Sequence, residues 1–561
     1  MDIPKRPSLL YKDDIHREQV YVLEGNIVKD LGIDDIDYMF RNTDRNAFNC
    51  MKLLSVMQTS GENIAYRSEI LEDFMQNKSV RQCAANILMK LIALKNEYGV
   101  KTFRFDETHK DILWKFSVMQ SYVKCIKEIR EILEDCKNDV KSEGLQNFIK
   151  YIDDIYRSES YKFIVEKLPE HQKAIDNMKG ITVGINMNKL LEPTEAMILT
   201  FEPKPFKKRS FLSDFFQTKD NAEEILKKSQ FYSLAKVSKS GIEAAFLKDL
   251  GEVIRMGLEK VAELLDEYFT SGIEELLEYD LEIDFYMAGY HLVDRAQEMG
   301  IPMTRPEVAD KEERICEIEN TCDISLAVRM RKENSKLSRP GDVIVKNDVA
   351  MNDQGRIFII TGPNQGGKTT YTRAIGMAQV LFQAGLYVPG TKAKMSPVDK
   401  LFTHFPKEEE RRVDEGRLGE ELRELSGMMD SVTRYSMVLL NESLSSTSAY
   451  DSLVICANLM KAFRSIGLRV VFSTHLHELA YEIDNINSEV EGSSTVIGLV
   501  SQIKKIEENG KIKHVSTYKI IPAVTDGKSY AYDIAYKYGM AYEQLMERFF
   551  SHDNKRKNGE K

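Results

Sequence analysis

The run Gly362-Pro-Asn-Gln-Gly-Gly-Lys-Thr369 fits the pattern G-x-x-x-x-G-K-[ST]. It follows the apolar stretch Arg356-Ile-Phe-Ile-Ile360 and opens a helical segment from Tyr371. That is the context a phosphate-binding loop needs: glycines let backbone N–H groups turn inward around phosphate oxygens, and the helix N-terminus adds partial positive charge. Lys368 supplies a full charge toward the β and γ phosphates, and the Thr369 hydroxyl is placed to ligate magnesium. The chemistry expected is binding of ATP with Mg2+ by Gly362, Pro363, Asn364, Gln365, Gly366, Gly367, Lys368, Thr369 and Thr370. A chance glycine-rich turn would lack the strand, the spacing and the Lys-Thr pair together.

Two further segments carry matching chemistry. Met437-Val-Leu-Leu-Asn-Glu442 reads as a strand end. In P-loop enzymes an aspartate at the Asn441 position helps hold magnesium and its waters. Asn441 can still hydrogen-bond a magnesium-bound water, but it brings no negative charge. Glu442 remains as a candidate base. Nucleotide binding is expected to survive, with magnesium held less firmly and hydrolysis slow. Phe472-Ser-Thr-His-Leu476 ends another strand, where His475 is a candidate sensor of the γ-phosphate. Lys368, Glu442 and His475 are thus the catalytic candidates, and Thr369 and Asn441 (through water) the metal candidates.

These residues need elements to hold them. The chain has 561 residues, too many for one compact core, and is expected to form several domains; its net charge of −10 argues mildly against a protein that coats DNA indiscriminately. No apolar run is long enough to span a bilayer, and the N-terminus has no apolar core after its basic residues, so a cytoplasmic protein is expected (nucleoid-associated if prokaryotic). The seven cysteines are scattered and read as buried thiols. Residues 1–35 are polar. From 36 to 310 the pattern is mostly helical, with a small β-hairpin near 180–202 and a helical stripe over 247–265. From 311 to 550 strands alternate with helices, the texture of an α/β sheet covered on both faces, and 551–561 is a polar tail.

The run TGPNQGGKTTYTRAIG closely resembles the P-loop of the MutS family, usually TGPNMGGKST. Asn347-Asp-Val, Gly385-Leu-Tyr-Val-Pro389, Ser446-Thr-Ser448, Ser473-Thr-His475 and Asp526-Gly-Lys-Ser-Tyr530 stand in the family's order and spacing, over about 340–545. Upstream, Ile36–Leu54 and DFYMAGYHLVDRAQEMG look like the start and end of the family's helical core and lever domain. The resemblance implies a multidomain protein: an all-α core and lever with a β clamp-like insertion, then an α/β P-loop NTPase of ABC type. It implies composite sites, in which each of two protomers, identical or a MutS-like partner, lends residues to the other's nucleotide. The trans candidates are Gly416, Arg417, Gly419 and Ser446. Leu418 and Gly419 stand where the family has serine and threonine, and DEIGRGTS has become Asn441-Glu-Ser-Leu-Ser-Ser-Thr-Ser448, so the nucleotide-facing segments have drifted while the P-loop has not.

Mismatch-reading relatives begin with mismatch-binding and connector domains; here the helical resemblance starts within about the first 40 residues. Phe105-Asp-Glu107 matches their F-x-E wedge motif by chance, lying in a helical region. Mismatch recognition by this chain alone is therefore not expected. The expectation is a nucleotide-gated dimeric clamp on branched or distorted DNA, acting in repair or recombination. Lys204, Lys207, Lys208 and Arg209, beside Phe206 and Phe211, are the candidate phosphate contacts, against the plainer possibility of a solvated loop. The alternative is an ATP-dependent protein–protein dimerisation switch without DNA binding, which the acidic charge and the drifted segments favour.

Overall fold

The computed structural model describes residues 5–40, 47–99, 108–190, 193–206, 272–405, 417–445, 448–508 and 511–523, with isolated positions near 260 and 545. The chain divides into two compact units, and each is taken by itself. One comprises Met1–Arg6, Cys83–Asn138 and Asn147–Asp280; the other comprises Pro7–Gln82, Asp139–Gln146 and Leu281–Lys561.

The first unit is helical. In the helix Thr108–Glu134, Ile112, Phe116, Met119, Ile126 and Ile129 recur three to seven residues apart, and all are buried. The helix Glu159–Asp176 adds Ile164 and Leu168. It begins where the Ser158 hydroxyl accepts from the Tyr161 N–H at 3.1 Å, filling one of the orphan donors of a first turn. Phe148 packs on Tyr279 with ring centroids 4.5 Å apart, and the Arg6 guanidinium lies 4.2 Å from the Tyr279 centroid. Arg130 Nε donates to Asp153 Oδ1 at 2.7 Å.

A two-stranded hairpin belongs to this unit. Gly180–Met187 pairs antiparallel with Pro193–Glu202, with Ile185 opposite Ala196 and an irregularity between Thr182 and Val183. Ile185, Met187, Met197 and Leu199 are 56%, 60%, 62% and 55% exposed. They stand on both faces, because Ile185 and Met187 alternate with Gly184, whose open side is covered by Leu199. Of the helical stripe expected over 247–265, only 258, 259 and 261 are among the described residues; Leu258 and Val261 are buried.

The second unit is built on a six-stranded sheet. Its order is Leu401–His404, Met437–Asn441, Arg469–Ser473, Gly355–Thr361, Thr495–Glu508, Lys511–Pro522. The first five run parallel; the sixth is antiparallel to the fifth. Every residue of Gly355–Thr361, Met437–Asn441 and Arg469–Ser473 is buried, as strands covered on both faces must be. The near-continuous apolar runs of the sequence are the result. The closing antiparallel pair differs from the strand–helix alternation expected for this half. A four-stranded sheet, in the order Glu307–Val308, Lys392–Met395, Cys316–Thr321, Asn347–Met351, and two small antiparallel pairs, Val20–Val22 with Val56–Gln58 and Met303–Thr304 with Val388–Pro389, also belong to this unit.

Buried polar groups lock this unit. The Arg469 guanidinium is fully buried and donates to four carbonyls, those of Ile315, Ser396, Pro397 and Tyr435, at 2.9–3.3 Å. Gln383 Nε2, on the helix Lys368–Gln383, donates to the carbonyls of Gln58 and Val398 at 2.7 and 2.8 Å. Such groups cost free energy to bury unless paired; both Arg469 terminal nitrogens and Gln383 Nε2 are paired, while Arg469 Nε has no partner among the described residues. Cys83, Cys125, Cys136, Cys316, Cys322 and Cys456 are buried thiols outside any disulfide. No helix among the described residues is long and apolar enough to cross a membrane.

Candidate functional site

Parallel strands in an open sheet present their C-terminal ends on one edge, where ligands bind. Thr361, Asn441 and Ser473 end three adjacent strands there. The loop after Thr361 needs left-handed backbone at Gly362 (φ 134°), Gln365 (φ 61°) and Gly367 (φ 94°). Glycine is required at Gly366 for space: a Cβ there would lie 2.4 Å from Ser501 Oγ, which donates to the Gly366 carbonyl at 2.6 Å. Lys368 begins the following helix, and its Nζ donates to the carbonyls of Gly362 and Pro363 at 3.0 and 3.1 Å. Burial pushes the Lys368 ammonium down to about 8, against the pull of Glu442.

The strand ends bring the other sequence candidates to this loop. Thr369 Oγ1 donates to Asn441 Oδ1 at 2.8 Å. Glu442, at φ 53°, is held by its N–H donating to the Ser473 carbonyl at 2.7 Å, and its Oε1 lies 2.7 Å from His475 Nε2. The other imidazole nitrogen, Nδ1, is 3.5 Å from Lys368 Nζ. His475 therefore stands between the lysine and the glutamate. The hydrogen bond from His475 and the charges of His475 and Lys368 hold the Glu442 carboxyl below its ordinary value, burial opposing them. A cavity of about 490 Å3 opens beside the loop, walled by Leu326, Met330, Ile344 and Val345 and reached by Tyr518 and Glu442.

The donor set suits magnesium. Thr369 Oγ1 and Asn441 Oδ1 are hard oxygens at one strand edge, neither of them charged, and the Glu442 carboxylate lines the cavity beside them. Few protein ligands with waters completing the shell is the usual arrangement for this ion.

Not every sequence candidate can be placed. Gly416, Ser446, Lys207, Lys208, Arg209, Phe105-Asp-Glu107 and Asp526–Tyr530 lie outside the described residues, as does the Arg417 side chain. Gly419 is exposed near the start of the helix Arg417–Met429, and Lys204 is exposed just after the hairpin. Sequence reasoning did not single out Ser501, or Tyr518, whose ring lies beside Gly367 and whose backbone is left-handed (φ 59°). Asn347 ties Tyr518 into place: its Nδ2 donates to the Tyr518 carbonyl at 3.1 Å and its Oδ1 accepts from the Ile520 N–H at 2.8 Å.

Residues 358–546 match the family model of MutS domain V, and residues 59–299 match that of the MutS2 N-terminal domain. The chain is a MutS-like protein. Curated relatives named DNA mismatch repair protein MutS agree. That of Bacillus cytotoxicus is 24% identical over 478 residues, 84% of this chain and 47% of the relative. That of Chlorobium phaeovibrioides is 30% identical over 214 residues, 38% of this chain and 23% of the relative, and that of Chlorobium limicola is 32% identical over 197 residues. This MutS-like chain thus spans about half, or less, of the length of the curated relatives it matches.

Proposed function

We propose that the chain is a slow ATPase of ABC type whose nucleotide state gates a dimeric clamp on branched or distorted DNA. The observation that carries the reading is the Thr369–Asn441 hydrogen bond, with Glu442, His475 and Lys368 meeting beside it. On this reading Gly362–Thr370 cradles the phosphates, and Lys368 exchanges two backbone carbonyls for β and γ oxygens. Magnesium, when bound, would neutralise charge on those oxygens. Glu442 takes a proton from water as its oxygen bonds to the γ-phosphorus; the bond to the ADP oxygen breaks, leaving ADP and phosphate. His475, within reach of Glu442, donates to the γ-phosphate.

Residues 36–310 then serve as core, lever and clamp, and 311–550 as the ATPase, with 1–35 leading and 551–561 trailing. Gly416, Arg417, Gly419 and Ser446 face the nucleotide of a second copy or a MutS-like partner. Lys204, Lys207, Lys208 and Arg209 contact DNA phosphates. The test is binding at fixed salt to homoduplex, mismatched duplex and a four-way junction, with no nucleotide, ADP or ATP, and Lys368→Ala as control. A nucleotide-dependent preference for the junction, lost in Lys368→Ala, supports the clamp.

One observation favours a second reading, an ATP-dependent protein–protein switch. The hairpin exposes Ile185, Met187, Met197 and Leu199, a surface suited to protein rather than to phosphate. Nucleotide-dependent dimerisation without affinity for any of the three DNAs selects it.

A further inference from the structure

The turn after Glu442 is held in an unusual conformation from one side. Glu442 and Leu444 both have left-handed backbones, at φ 53° and 62°, which side-chain-bearing residues adopt only when surroundings impose it. The Glu442 N–H is fixed by Ser473, in the sheet. The rest of the turn is fixed from the opposite side by two elements that contain no nucleotide-binding residue of the loop.

The first is the edge strand Leu401–His404. His404 pairs in register with Leu440, and its side chain is largely buried. Its Nδ1 lies 2.7 Å from Ser443 Oγ, while that hydroxyl donates to the His404 carbonyl at 3.2 Å. The hydroxyl proton serves one of these two contacts at a time, and the roles within the Nδ1–Oγ pair follow the imidazole tautomer. Nε2 faces Glu424 Oε2 at 3.4 Å. The second element is the helix Arg417–Met429. Glu421 Oε2 accepts the Leu444 N–H at 2.7 Å, and Leu425 and Met428 share the apolar cluster of Leu444. Glu421 and Glu424 are three residues apart, on one face of that helix.

We propose that His404 and Glu421 are positioning residues: they couple the helix Arg417–Met429 to the Glu442 turn, so that a shift of the helix re-aims the Glu442 carboxylate. The proposal rests on the reading of Glu442 as the hydrolytic base. It gives the helix that opens at the trans candidates a physical route into the neighbouring hydrolytic residue of its own chain. Two short polar connections and one apolar contact make the route.

The test pairs kinetics with hydrogen exchange on the full chain, comparing wild type with His404→Ala, His404→Gln, Glu421→Gln and the double variant Ser443→Ala/His404→Ala. Exchange of the peptide covering 437–445 is followed with and without ATP and magnesium. The expected result is a fall in kcat on the order of tenfold for His404→Ala with KM unchanged, since displacing a catalytic group by less than an ångström has effects of that size. His404→Gln, whose amide can still hydrogen-bond to Ser443, recovers part of the loss, and the double variant is no worse than His404→Ala. The 437–445 peptide exchanges faster in both single-site losses. Wild-type kcat and wild-type exchange in His404→Ala and Glu421→Gln would overturn the coupling. If wild type shows no Lys368-dependent turnover, the hydrolytic reading fails by itself. Exchange then decides the coupling: nucleotide-induced protection at 437–445 that His404→Ala abolishes supports it, and protection identical in both proteins overturns it.

Discussion

Thr369 on the helix Lys368–Gln383 and Asn441 at the end of the strand Met437–Asn441 share one hydrogen bond, with the hydroxyl donating to the amide oxygen at 2.8 Å. The pair joins the two segments that a bound magnesium would also join. In Asn441→Asp the same position would carry a negative charge, and hydrogen bonds to charged groups are worth about 1.5–3 kcal/mol. Half-saturation by magnesium should therefore move to roughly tenfold lower concentration. Turnover titrated against magnesium measures this. An unchanged midpoint removes the reason to single out Asn441.

Lys368 predicts a pH-dependent stability. Its value falls from 10.5 to about 8 on folding, so the folded protein binds fewer protons there than the unfolded chain. The charged form is therefore penalised below pH 8, and the penalty fades as pH rises toward 10.5. Lys368→Met removes it. The variant without nucleotide should gain up to roughly 3 kcal/mol at pH 7, less the loss of two hydrogen bonds to carbonyls. The difference in melting temperature between variant and wild type should shrink from pH 8 to 10.5. A difference independent of pH would show that the charge is not strained. ATP binding should be lost throughout.

Glu442→Gln keeps the shape of the side chain and removes the base. Turnover should fall by about 100-fold or more, the range of a lost general base, while nucleotide affinity stays within a few-fold of wild type. Equilibrium binding and steady-state rates on the same preparation check both. Loss of binding would assign Glu442 to the binding shell instead.

Arg469→Leu tests the scaffold. It removes the Arg469 donor from four buried carbonyls; that of Ile315 keeps the Ser396 N–H at 2.8 Å and that of Ser396 keeps Gln379 Nε2 at 3.2 Å, so the loss falls on those of Pro397 and Tyr435. Unsatisfied buried groups cost about 1–3 kcal/mol each, partly relieved by relaxation, so a loss of roughly 3–5 kcal/mol is expected in denaturant unfolding. The same change should leave the Lys368 pH effect in place.

Much of the site was legible because its chemistry lies in contiguous runs. Gly362–Thr369 declares its own geometry, since glycines, lysine and threonine at that spacing have few other uses. Asn441, Glu442 and His475 were legible as strand ends, because buried parallel strands show as unbroken apolar runs. The hairpin at 180–202 was legible through alternation at Ile181–Met187. Other parts depended on tertiary pairing. Ser443, His404 and Glu421 are ordinary residues whose meaning arises when three segments meet. Ser501 and Tyr518 sit in two long strands whose alternation is blurred by lysines and glutamates. Asn509-Gly510, between those strands in the sequence, is a hairpin-turn signal that the reading passed over.

Those two strands hold the loop Gly362–Gly367, Ser501 by its hydroxyl and Tyr518 by its ring. Thr495–Glu508 continues seven residues beyond Ser501, an overhang of about 23 Å at the rise of a β-strand. A stiff arm of that length, clamped at one end to the loop, works as a crank. A force on its far end would reach Gly366 as torque, and a reshaped loop would swing the arm.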